Sequence, residues 1–106
     1  MADFCQLWLT CKDETEAATI TSQLLKKRLV ACVKQLPIVA NYWWKGKIEN
    51  DKEILLVMES RVDLVDKIEA KIAELHSYDT FVLEAIPILK ISKDATKWLE
   101  KEIIDG

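Results

Sequence analysis

The stretch Asn41–Ser60, NYWWKGKIENDKEILLVMES, decides how the chain is read, because Tyr42, Trp43 and Trp44 stand together just ahead of one of only two glycines. Strand-favouring residues run up to Glu49 and resume from Glu53 to Glu59, and Asn50-Asp51 between them has the chemistry of a two-residue turn. The stretch therefore predicts a long hairpin, with Gly46 as a bulge inside it. Adjacent strand residues point to opposite faces, so Trp43 and Trp44 cannot enter one core: one packs inward and the other meets something outside the monomer. Aromatic anchors dominate subunit contacts, which makes Tyr42, Trp43 and Trp44 the candidate subunit interface. Lys45 and Lys47 interleave with these rings as a base-stacking groove would require, but Glu49, Asp51 and Glu53 spoil the electrostatic funnel.

Working outward toward the N-terminus, Phe4 to Cys11 alternates, with Cys5, Leu7, Leu9 and Cys11 on one side, as a half-buried strand does. Asp13 with Glu16 three positions later is a helix start, and Ala17, Ile20, Leu24 and Leu25 recur at helical spacing up to Lys26, Lys27 and Arg28. Leu29 to Asn41 returns to strand composition, and Pro37 marks an edge or a bulge because it cannot donate to the ladder.

Beyond the hairpin, Ser60 with Asp63 can cap a second helix, in which Leu64, Val65, Ile68, Ile72 and Leu75 trace the apolar stripe. His76 to Thr80 is polar, Phe81 to Leu89 is an extended run broken by Pro87, and Asp94 to Ile104 predicts a closing helix with Trp98, Leu99 and Ile103 inward. The order β-α-β-β-α-β plus a terminal helix is an α+β, ferredoxin-like domain over 1–106. Two helices cover one face of such a sheet, so the other face predicts self-association.

With 106 residues, 50% of them hydrophobic, the chain can bury a real core without metal or disulfide staples. Its net charge of -3 and scattered lysines give no basic stripe, which argues against a nucleic-acid partner. No apolar run is long enough to span a bilayer and the N-terminus lacks signal-peptide character, so the expectation is a cytoplasmic protein without a membrane partner. Cys5, Cys11 and Cys32 are an odd set with no CxxC spacing, read as three reduced thiols.

Several motifs in order resemble the CutA family of divalent-cation tolerance proteins, and the similarity covers nearly the whole chain. They are LVACV over 29–33 ahead of Pro37, NYWWKGKIE over 41–49, HSYDT over 76–80, Pro87, and Trp98-Leu99. The resemblance implies a homotrimer whose hairpins pair across subunits and whose sheets face one another inside. It also implies a role in divalent metal ion tolerance or homeostasis, with weak copper binding and no required cofactor. The chain departs from the family pattern at Ser77, where the family has proline, and at Phe81-Val82, where an acidic pair is usual. The nearest following carboxylate is Glu84.

His76, Tyr78 and Asp79 form a polar cluster between helix and strand. Neutral imidazole binds Cu or Zn and thiolate adds softness, so His76 with Cys11, or with Cys32 from this or a neighbouring chain, is the candidate set for Cu(II) or another divalent cation. A plainer reading is that His76 and Asp79 cap their loop by hydrogen bonding. Cys32 and Cys5 read as small buried hydrophobes; at Cys11 the strand end and Lys12 would favour an exposed thiolate, but the same plain reading is preferred there.

No enzyme is expected. An acylphosphatase needs an arginine in a glycine-rich anion cradle, and neither Arg28 nor Arg61 lies near glycine. A copper chaperone of this fold needs a CxxC loop, which is missing. The alternative function is a signalling trimer resembling the nitrogen-regulatory PII proteins, binding a small molecule in inter-subunit clefts.

Overall fold

Alternation in the first segment is realised as β1 (Phe4–Cys11), which is followed by α1 (Glu14–Lys26), β2 (Cys32–Trp44), β3 (Lys47–Arg61), a 3-10 turn (Val62–Leu64), α2 (Val65–Leu75), β4 (Leu83–Pro87) and α3 (Lys93–Glu102). The computed structural model describes residues 3–104, so the two terminal positions at either end of the domain expected over 1–106 lie outside the described residues. The four strands form an antiparallel sheet in the order β2-β3-β1-β4, the ferredoxin-like arrangement.

Register explains the core. Leu7 lies opposite Met58, Leu9 opposite Leu56 and Cys11 opposite Ile54, so every second residue of β1 and β3 faces the helices. That row packs with Ile20 and Leu24 of α1, Ile68 and Ile72 of α2, and Leu99 and Ile103 at the α3 end. Pro37 sits on β2, an edge strand where a missing donor costs little. The opposite sheet face carries Trp8, Leu36 and Ile86 exposed.

Several sequence expectations are corrected. The hairpin turns at Lys45-Gly46, with φ of 50° and 79°, and not at Asn50-Asp51. Two consecutive left-handed residues give the turn whose twist matches its strands, and Gly46 makes the second of them free of steric cost. Gly46 is thus a turn residue rather than a bulge. Asn50 and Asp51 become mid-strand partners of β2: Asn50 Nδ2 donates to Asn41 Oδ1 at 2.6 Å and Tyr42 donates its hydroxyl proton to Asp51.

This register carries the hairpin beyond the helices, so neither tryptophan packs inward: Trp43 is 72% exposed, Trp44 43%, and Ile48 opposite Trp43 is 65% exposed. Trp98 and Leu25, expected inward, are also exposed, while Leu29 and Val30 are buried ahead of β2 rather than within it. Ser60 does not cap a helix. It belongs to β3, where its hydroxyl donates to the carbonyl of Leu29 at 2.6 Å, and Asp63 instead receives Arg61 at 2.9 Å.

Candidate metal centre

Three chain segments meet at one end of β1. The strand ends with Thr10 and Cys11, α1 starts three residues later, and α2 stops at His76, whose extended backbone (φ -79°, ψ 139°) breaks the helix after its N–H donates to Ile72 O. Asp13 caps α1 by accepting from Glu16 N at 2.9 Å. Glu16 in turn reaches back to accept from Lys12 N at 3.0 Å, a variant of the reciprocal cap that places its carboxylate beside the strand end.

His76 and Cys11, named from sequence, are brought together here with Glu16, which sequence had marked only as a capping residue. One donor atom from each lies within 4.8 Å of the others. Cys11 is fully buried, in keeping with the plainer of its two sequence readings and against an exposed thiolate, because it continues the helix-facing row of β1. Burial, and then the carboxylates of Glu16, Glu53 and Asp13, push its thiol up to about 12, so it is protonated at neutral pH.

The imidazole is held on both edges. Its Nε2 lies 2.8 Å from the carbonyl oxygen of Thr10 and its Nδ1 accepts from Tyr78 N at 3.1 Å. A carbonyl can only accept and an amide N–H can only donate, so the proton sits on Nε2. Phe81 stacks on the ring with centroids 5.2 Å apart, and Glu16 Oε1 is 3.6 Å from Nε2. Burial alone would raise the Glu16 carboxyl, yet hydrogen bonds from Lys12 and Ser77 and the nearby His76 hold it below the usual range.

The departures from the family pattern have structural roles. Ser77 supplies an N–H that donates to Glu16 Oε2 at 2.8 Å, which proline could not do. Phe81 provides the stacking ring. Glu84 lies opposite Trp8 on β4. Asp79 is exposed and makes no side-chain hydrogen bond among the described residues, so the ring is oriented by Thr10 and Tyr78 instead.

Glu53, which sequence treated only as a charge unfavourable to nucleic acid, is buried and accepts from the Tyr78 hydroxyl at 2.7 Å. Burial and this carboxylate raise the Tyr78 phenol. Glu53 also lines a groove of about 470 Å³ with Lys12, Asp13, Pro37, Val39 and Lys52. Cys32 is not brought to the junction within one subunit: it lies opposite Glu59, whereas Cys11 lies opposite Ile54, and it is half-buried with Lys34 Nζ 3.7 Å from its sulfur.

The donor chemistry fits a borderline divalent cation. Thiolate, imidazole and carboxylate are the usual protein ligands of zinc, and thiolate with imidazole also suits copper. Cys11, Glu16 and His76 would hold the ion, after loss of the Cys11 proton and rearrangement of the bonds around His76.

Fold and junction together define a ferredoxin-like domain with a buried Cys-Glu-His donor set at one end of its sheet. The family model of the CutA1 divalent ion tolerance protein matches residues 5–102, and the chain belongs to that family. It is 38% identical to the divalent-cation tolerance protein CutA of Pyrococcus horikoshii over 96 residues, covering 91% of this chain and 94% of that one. The crystal structure of CutA1 from Oryza sativa superposes with a TM-score of 0.96 at 25% identity, covering 99% of this chain and 97% of that one. CutA from Archaeoglobus fulgidus, described as periplasmic, superposes with a TM-score of 0.91 at 31% identity over 93% and 97% of the two chains. The family names denote a tolerance protein rather than an enzyme. No helix among the described residues is long and apolar enough to cross a membrane.

Proposed function

We propose that this chain serves divalent-cation tolerance as a homotrimer without catalytic activity, taking up Cu(II) or Zn(II) weakly at Cys11, Glu16 and His76. The observation that carries the reading is the convergence of three buried donors of different chain segments within 4.8 Å. Weakness follows from the same geometry, since the thiol must lose a proton held to about pH 12 and His76 must give up a hydrogen bond. Three unpaired thiols support a reducing, cytoplasmic setting.

Trimer formation is supported by the exposed Trp8, Leu36 and Ile86 on the helix-free face and by the exposed rings of Trp43 and Trp44 beside Tyr42. A second reading, a small-molecule site in an inter-subunit cleft, is favoured by the groove that Glu53 and Lys52 line next to the projecting hairpin.

Calorimetric titration with Zn(II), which is redox-inert toward thiols, tests the metal reading. Wild type is expected to bind one ion per subunit and His76→Gln, which keeps an amide for hydrogen bonding, to bind at least about tenfold more weakly. Equal affinities would remove His76 from the site.

A further inference from the structure

The His76 ring offers no free nitrogen. A cation at Nε2 requires the ring proton to move to Nδ1, where it would point at the Tyr78 N–H, so two donors would face each other across the present 3.1 Å contact. A cation at Nδ1 displaces the Tyr78 N–H directly. Either route costs the same hydrogen bond, and Nε2 ligation also costs the bond to the Thr10 carbonyl.

The adjacent amide also holds the second donor, although a carboxylate oxygen, unlike an imidazole nitrogen, keeps a further lone pair while it accepts. Ser77 N–H occupies Glu16 Oε2 at 2.8 Å while Lys12 N–H occupies Oε1 at 3.0 Å, so each carboxylate oxygen is engaged. The Tyr78 hydroxyl anchors the loop a further time on buried Glu53 at 2.7 Å. Two successive backbone amides of a single short loop thus engage two of the three metal donors.

We infer that residues 76–78 act as a latch on the donor junction, with Tyr78 as the positioning residue that keeps the His76 proton on Nε2, and that a cation binds only as this segment lets go. The inference rests on the metal reading above, and it adds a property that donor proximity alone does not imply. Loosening the latch strengthens metal binding, although it removes native hydrogen bonds.

Ser77→Pro is the discriminating variant. It deletes the amide that holds Glu16, and His76 already has the extended backbone that a following proline requires. Freeing one hydrogen bond of ordinary strength is expected to tighten Zn(II) binding about fivefold. Tyr78→Phe, which releases the loop from Glu53, is expected to act in the same direction.

The second readout is amide hydrogen exchange followed by NMR on the intact protein, with and without Zn(II). The latch predicts that Zn(II) accelerates exchange of the Tyr78 amide. Binding that leaves the Tyr78 amide equally protected, or that Ser77→Pro and Tyr78→Phe both weaken or leave unchanged, overturns the latch while the metal site stands. Absence of Zn(II) binding by wild type and both variants overturns the site and the latch together.

Discussion

Trp43→Ala is expected to convert the proposed trimer into monomers at micromolar concentration while leaving the subunit folded. Trp43 is 72% exposed and lies opposite Ile48, 65% exposed, on a hairpin that extends past the helix layer. Truncating a central aromatic anchor costs about 2 kcal/mol or more per interface. A closed trimer contains that contact three times, so the loss is about 6 kcal/mol per assembly, roughly four powers of ten in the trimer's dissociation constant.

None of that energy comes from the subunit's core, which is built on Leu7, Leu9, Leu56 and Met58 with the helices. Far-UV circular dichroism should therefore keep its shape while sedimentation shows the mass falling to one third. Trp44→Ala should have a smaller effect, because Trp44 is less exposed and Lys45 already sits 5.8 Å over its ring. If both variants sediment like wild type and melt at the same temperature, the hairpin tip is not the interface.

Metal affinity should rise with pH, by about tenfold per unit from neutrality up to about pH 9. The Cys11 thiol, raised to about 12 by burial and its carboxylate neighbours, is protonated throughout this window, so binding releases one proton and the apparent constant varies inversely with proton concentration. Alkali favours the loaded form and acid the free form. Cys11→Ala should weaken Zn(II) binding and lose this pH slope. Calorimetry in two buffers of different protonation enthalpy counts the proton directly, and a wild-type binding event that releases none would remove Cys11 from the ligand set.

Elements with strong local period were legible from sequence. The alternation in Phe4–Cys11 and the stripe of Ile68 and Ile72 in α2 name their own buried faces, because one face of each meets the same core. The hairpin turn was not legible. Asn50-Asp51 has the better turn composition, but pairing Trp43 with Ile48 and Leu36 with Leu55 aligns apolar residues, and this register forces non-glycine Lys45 to a positive φ. Sheet register outweighed local turn propensity.

At the site, Cys11 and His76 were legible as residue types that ligate metals, but not as neighbours. Their meeting depends on a hydrogen bond between His76 and the carbonyl of Thr10, 66 positions away, which carries no side-chain signature. Glu16 was visible only as a cap, and its second role arises because capping turns its carboxylate back toward the strand end. Trp98 shows the reverse case, an aromatic at helical spacing that stays on the surface while Leu99 and Ile103 fill the core.

Native mass spectrometry of the wild-type protein, metal-free and with excess Zn(II), tests assembly and metal uptake together, since each spectrum reads both subunit count and bound ions. The expected species is a trimer that gains three ions, one at each Cys11-Glu16-His76 junction. A monomer, or a trimer that gains no ions, would contradict that expectation.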